Sequence, residues 1–226
     1  MDAPAQQSEL VPPAAHCAGL DDLDSLVECF YLSLPDEPMA ALGRAFVRAN
    51  YRYYVEQPGG FCLVTRDQDS GVVTGFVFGG EPELNRRFVR SHLLRFTATV
   101  MWKALCRRCV RRRLWEPIGA LFRRIGRKLR LLPDEATYAD PPEEPAGTYA
   151  VLRFLGVHSS YRRRGIATAL LDAFRAECQR RGYQTMRVMT DNENAAAIAA
   201  YKKAGWQVIH TSAAYTFFRQ SISGSG

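Results

Sequence analysis

The stretch Tyr161-Arg162-Arg163-Arg164-Gly165-Ile166-Ala167-Thr168 joins two segments of different periodicity, and the fold turns on that junction. Upstream, Tyr149 to Val157 is a run of aromatic, branched and aliphatic residues closed by His158-Ser159-Ser160, which predicts a strand followed by a turn. Downstream, Ile166, Leu170, Phe174 and Cys178 recur every four residues. Asp172, Arg175, Glu177 and Arg180 fall between them, and Gly182 stands where such a helix would stop. The junction is therefore strand, basic turn, helix. The first N–H groups of a helix have no intrahelical partner and carry the positive end of its dipole, so a pyrophosphate can rest there. The amides of Arg163 through Thr168 would receive it. Gly165 and Ala167 keep side chains out of its way, and Arg162, Arg163 and Arg164 add charge.

A second pattern lies further along. Asn194, Ala197, Tyr201, Gly205 and Trp206 fall at offsets 0, 3, 7, 11 and 12, the spacing of one short helix capped at Asn194 and stopped at Gly205. Asn194, Ala197 and Tyr201 then share one face. Nearer the start, Leu20 to Leu32 and Pro38 to Glu56 read as two helices. Phe61 to Thr65 and Val72 to Phe78 read as a hairpin around Asp67-Gln68-Asp69-Ser70-Gly71.

Taken together, Arg162-x-x-Gly165-x-Ala167 and the run Asn194 through Trp206 resemble the two cofactor motifs of the GNAT superfamily of N-acetyltransferases, in the same order and at a similar separation. The resemblance covers roughly residues 148 to 210. It implies an α/β fold: a mixed, mostly antiparallel sheet flanked by helices and opened between its fourth and fifth strands to admit acyl-CoA. Residues 1–226 would form a single acyltransferase domain, with acetyl-CoA as cosubstrate and no metal. Its cofactor contacts would be Leu155, Val157, Arg162, Arg163, Arg164, Gly165, Ile166, Ala167, Thr168, Asn194, Ala197 and Tyr201.

The resemblance also distributes the chemistry. In relatives a bulged strand leaves an N–H free to polarise the thioester carbonyl, which corresponds here to Leu155 to Val157. Tyr201 matches the usual donor of a proton to the departing thiolate; its other reading is a core aromatic. An alkyl amine with a pKa of about 10 is mostly protonated at neutral pH and needs a base. The glutamate that some relatives carry on the central strand is missing, because Tyr149 to Val157 holds no carboxylate. His158, Asp191, Glu193 and a water chain stay open as the base, and His158 reads equally as a strand-end residue. The acceptor pocket would lie beneath the loop Leu34-Pro35-Asp36-Glu37-Pro38, where Asp36 and Glu37, with Asp191, would attract a cationic amine. Both loop acids also read as helix N-terminal acids favoured by the dipole. Tyr51, Tyr53 and Tyr54 would either shape this pocket or pack the second helix.

Composition sets the frame around the motifs. With 226 residues, 47% of them apolar, the chain can bury a substantial core. Six cysteines form no disulfide-dense pattern, and Met1-Asp2-Ala3-Pro4-Ala5 lacks the features of a signal peptide, so a cytoplasmic setting is expected. The net charge of +7 is concentrated. Between Arg86 and Leu132 stand fifteen Lys or Arg and one acid, Glu116, so this window carries +14 and the remainder −7.

The window belongs to an insertion, residues 82–146, between the third and fourth strands. Leu93 to Cys109 and Ile118 to Leu129 have helical apolar spacing, and the acidic, proline-rich Pro133 to Gly147 reads as a linker. Two basic amphipathic helices are expected. They would pack on the core or in a homodimer, lie on an anionic membrane surface at the inner face, or dock an acidic partner. No nucleic-acid-binding module is recognisable. Cys106 and Cys109 have the spacing of half a zinc site but no second pair nearby. The expected function is transfer of an acetyl or short acyl group to a primary amine of a small molecule or amino sugar. Alternatives are a peptide or protein amine, longer acyl donors at a membrane, and a catalytically inactive CoA-binding scaffold.

Overall fold

The computed structural model describes residues 14–91 and 148–222. Seven strands there form one sheet: β1 (His16–Cys17), β2 (Gly60–Arg66), β3 (Val73–Gly80), β4 (Tyr149–Val157), β5 (Thr185–Asp191), β6 (Gln207–Thr211) and β7 (Tyr215–Ser221). Their spatial order is β1-β2-β3-β4-β5-β7-β6, and every neighbouring pair is antiparallel except β4 with β5. The described α-helices are α1 (Leu23–Ser33), α2 (Pro38–Leu42), α3 (Arg44–Glu56), α4 (Glu83–Ser91), α5 (Ile166–Arg180) and α6 (Ala195–Lys203).

Strand alternation gives the sheet two apolar faces. Phe61, Leu63, Val77, Leu152, Met186, Val188 and Phe218 point to one face, where Ile166, Leu170, Phe174 and Cys178 of α5 and Tyr201 of α6 cover them. Cys62, Val64, Phe76 and Phe78 point to the other, under Leu26 and Phe30 of α1 and Val47 and Tyr51 of α3. A four-residue apolar repeat on α5 and a two-residue repeat on the strands thus meet in one continuous layer.

Three sequence expectations change. The segment Pro38 to Glu56 is two helices, because Gly43 stands at φ 98°, ψ 162° and breaks the backbone between α2 and α3. Tyr51 and Tyr54 do not shape a pocket: both are buried against Phe78, with ring centroids at 4.7 and 4.9 Å. The insertion opens with α4, which buries Leu84 and Phe88 in the core and turns Arg86, Arg87 and Arg90 outward. The two expected basic helices, the linker and the Cys106/Cys109 pair lie outside the described residues.

Candidate active site

The sheet splits at its centre. Parallel pairing of β4 with β5 runs from Tyr149↔Thr185 to Leu152↔Val188 and ends there, while β4 continues to Val157 and β5 to Asp191. On its other edge β4 stays paired to β3, where the His158 amide donates to the Thr74 carbonyl at 2.9 Å. Successive amides along a strand face opposite edges, so those of Leu155 and Val157 face the gap. The register irregularity is not at Leu155 to Val157, which pair with Val77, Phe76 and Gly75 in unbroken order. It falls at Arg153, between Phe78↔Phe154 and Gly79↔Leu152. A Cβ on Gly79 would lie 2.1 Å from the Val151 carbonyl oxygen, so the slip occurs where β3 carries no side chain. Divergence of the strands, rather than a bulge at these two residues, exposes their amides.

Beside the gap lies the N-terminus of α5. Gly165, its N-cap, has φ 76° and Arg163 has φ 67°, so left-handed residues precede the helix and turn successive N–H groups into a concave surface. No side chain caps this end, and the first helical bond runs from the Ala169 amide to the Gly165 carbonyl at 3.0 Å. The amides of Ile166, Ala167 and Thr168 are left without intrahelical acceptors. Ile166, buried in the core, anchors the turn.

The three arginines have separate surroundings. Arg162 donates to the Ser33 carbonyl at 3.0 Å and ties the cradle to the end of α1. Arg164 lies over the Tyr161 ring at 5.0 Å, and Arg163 projects from the left-handed position. All three remain exposed.

On the far side of the gap, the Asn194 side chain accepts from the Ala197 amide at 3.0 Å and caps α6. One turn further, Tyr201 is 5% exposed, between Trp206 and Phe218 with centroids at 5.6 and 5.5 Å. It is packed as a core aromatic. Burial pushes its phenol up, so it stays protonated at neutral pH.

His158 is engaged elsewhere. Its Nδ1 accepts from the Ser160 amide at 3.2 Å and its ring meets Tyr161 edge-on at 5.3 Å. With Nδ1 taken as an acceptor, His158 caps the turn after β4.

Of the acceptor-side acids, Asp36 and Glu193 are exposed, while Glu37 is half-buried at the N-cap of α2. Desolvation, and then the charge of Asp191 at the end of β5, push the Glu37 carboxyl up. Among the expected acids, the charge of Asp191 is thus the one that acts on Glu37. Sequence reasoning missed Asn192, which binds the β6–β7 turn next to Asp191, and Ser33, which receives Arg162.

Other chemistries find few components among the described residues. Burial pushes the Cys29 thiol up to about 12 and raises Cys62 and Cys178 as well, so none of these three is a ready nucleophile. Among the described residues no group of three His, Cys, Asp or Glu stands ready to hold a metal ion, and no helix is long and apolar enough to cross a membrane.

A split sheet beside an uncapped, glycine-led helix is the geometry of an acyl-CoA-dependent transferase. The profile described as the Acetyltransferase (GNAT) family matches residues 20–206, and the chain belongs to that family. No curated protein sequence matches it. Among solved structures it is similar to the ribosomal-protein-S18-alanine N-acetyltransferase from Escherichia coli, at 13% identity and TM-score 0.54, with 94% of this chain and 96% of that one covered. It is also similar to Arabidopsis thaliana NAA60 in complex with acetyl-CoA, at 14% identity and TM-score 0.54, covering 93% and 99%. A third structure, called an acetyltransferase, is 17% identical with TM-score 0.55 over 92% and 99%.

Proposed function

We propose that this acetyltransferase moves an acetyl group from acetyl-CoA directly to a primary amine of a small molecule or amino sugar. The observation that carries the proposal is the β4–β5 gap opening beside the left-handed turn at Arg163 and Gly165. Acetyl-CoA supplies an activated thioester. The amides of Ile166, Ala167 and Thr168 hold its pyrophosphate with the neighbouring arginines, and those of Leu155 and Val157 face its carbonyl.

The remaining roles concern protons. As the amine nitrogen bonds to the acyl carbon and the C–S bond breaks, Tyr201 gives its proton to the leaving sulfur and recovers one from water. The amine's own proton passes to Glu37, whose raised carboxyl is better matched to base work near neutral pH than an ordinary one. Glu37 thereby fills the role left by the absent strand carboxylate. Asp191 attracts the cationic amine.

Thiol release from acetyl-CoA with glucosamine, an alkyl diamine and a peptide bearing a free N-terminus tests the proposal. Acetylation of a small amine supports it. Turnover with the peptide alone moves the acceptor to peptide amines, and acetyl-CoA binding without turnover by any amine favours the scaffold reading.

A further inference from the structure

Three residues separate β5 from α6, and the amides of two of them are tied down. The Asn194 amide returns to the Asp191 carbonyl at 3.0 Å, and the Asn192 amide donates to the Ala214 carbonyl at 2.9 Å. The Asn192 side chain does more. Its Nδ2 donates to the carbonyls of Ser212 at 2.9 Å and Ala213 at 3.2 Å, while its Oδ1 accepts from the Thr216 hydroxyl at 2.7 Å. The β6–β7 turn also closes on itself, with the Ser212 amide on the Tyr215 carbonyl at 2.8 Å and the Tyr215 amide on the Ser212 hydroxyl at 3.0 Å.

Only a side chain with both donors and an acceptor at this length can make that set. An aspartate would set a carboxylate against two carbonyls, and an alanine would make none of the three bonds. Asn192 is exposed, so its bonds are not demanded by the core, and they converge on the residue beside Asp191. Asp191 pairs with Tyr215 in the last rung of the β5–β7 ladder, so the turn that Asn192 grips is also what holds Asp191 in register.

We infer that Asn192 is a positioning residue for the acceptor subsite: by locking the β6–β7 turn to the end of β5 it holds Asp191 in register and so shapes that subsite for a cationic amine. The inference rests on the proposed acceptor role of Glu37 and Asp191. It predicts that loosening the turn acts on the acceptor side and leaves the cofactor cradle, formed by α5, as it was.

The test needs no knowledge of the natural amine. Full-length protein labelled with 13C at the glutamate carboxyls is titrated by NMR as wild type, Asn192→Ala, Thr216→Val, Asp191→Asn and the Asn192→Ala/Asp191→Asn pair, with acetyl-CoA affinity measured by calorimetry. Asp191→Asn lowers the Glu37 midpoint; Asn192→Ala and Thr216→Val lower it in the same direction, and the pair lowers it no further than Asp191→Asn alone. Acetyl-CoA affinity stays within about twofold, because the Asn192 side chain bonds to the β6–β7 turn and Thr216 rather than to α5. If Asp191→Asn lowers the midpoint but Asn192→Ala and Thr216→Val leave it at the wild-type value, the positioning role is wrong. If Asp191→Asn itself leaves it unmoved, the charge of Asp191 does not act on Glu37, and the acceptor reading fails with it.

Discussion

Replacing Gly156 by alanine probes the packing behind the gap. Gly156 lies between the two residues whose amides face the gap, and a Cβ there would lie 2.5 Å from Cε1 of Phe76, 2.6 Å from its Cζ and 2.5 Å from the Ser33 hydroxyl. Carbon atoms in contact sit at about 3.5–4.0 Å, so roughly 1 Å must be found. Phe76 cannot supply it easily: it is fully buried, with Tyr51 edge-on at 5.5 Å and Phe30 at 6.3 Å. Ser33 is held too, its hydroxyl on the Phe30 carbonyl at 3.2 Å and its carbonyl on Arg162. Overpacking of this kind costs about 1–3 kcal/mol. At roughly 2–4 °C per kcal/mol for a chain of this length, Tm should fall by about 2–12 °C.

The strain also has a direction. If β4 yields instead of Phe76, the Leu155 and Val157 amides move, and a displacement of about 1 Å at a reacting centre costs on the order of 10²-fold in kcat. Thermal unfolding and thiol release measure the two effects on one protein. Gly71→Ala is the control: φ is +68° but nothing lies within 4 Å, so it carries backbone strain of about 1–2 kcal/mol without a kcat effect. A Gly156→Ala protein that melts with wild type and turns over normally would refute the packing argument.

Three further outcomes follow from individual side chains. Tyr201→Phe keeps the packing against Trp206 and Phe218 but removes the phenolic proton, so kcat should fall about 10²-fold or more with acetyl-CoA affinity preserved, measured by thiol release and calorimetry. Glu37 is raised in the folded state, so its ionisation destabilises the protein as pH rises from the ordinary value of 4.5 through the raised one. Glu37→Gln should therefore raise Tm at neutral pH, lose that advantage in acid, and abolish the acidic limb of the kcat/KM profile for the amine. Glu177 accepts from Arg180 at 2.8 and 2.7 Å and from Arg181 at 2.6 Å, which holds its carboxyl below the ordinary range. Its contribution is present above pH 4.5 and lost as pH falls through the native value, so Glu177→Gln should cost about 1.5–3 kcal/mol near neutrality and flatten the acid side of a denaturant-midpoint profile.

How much of this was legible in the chain depended on how local the cause was. The four-residue repeat from Ile166 to Cys178, the Asn194 cap and the stop at Gly205 are set by neighbouring residues, and the structure places all of them as the spacing predicts. Gly43 was passed over because a single glycine inside an amphipathic pattern is compatible with a continuous helix until its φ is known. α4 was hidden by its charge: Leu84 and Phe88 are its only buried residues, and Arg86, Arg87 and Arg90 made the segment read as the start of the basic window.

Site residues followed the same division. The cradle lies on contiguous sequence and could be read directly. The action of the Asp191 charge on Glu37 joins a loop near the start of the chain to a strand end more than 150 residues later, and only the fold brings it about. Asn192 was missed because its role consists of bonds to a turn twenty residues away. The register slip was misplaced because it depends on the missing side chain of Gly79 on the neighbouring strand.

A thermal titration of wild type against Gly165→Asp asks whether acetyl-CoA binds at the α5 turn. Ligand at about one hundred times its Kd stabilises the native state by roughly 2.7 kcal/mol. The account predicts a saturable rise in Tm with acetyl-CoA and with CoA, lost in Gly165→Asp, where a carboxylate and a strained left-handed residue occupy the cradle. Equal stabilisation of both proteins, or none of the wild type by either ligand, would contradict it.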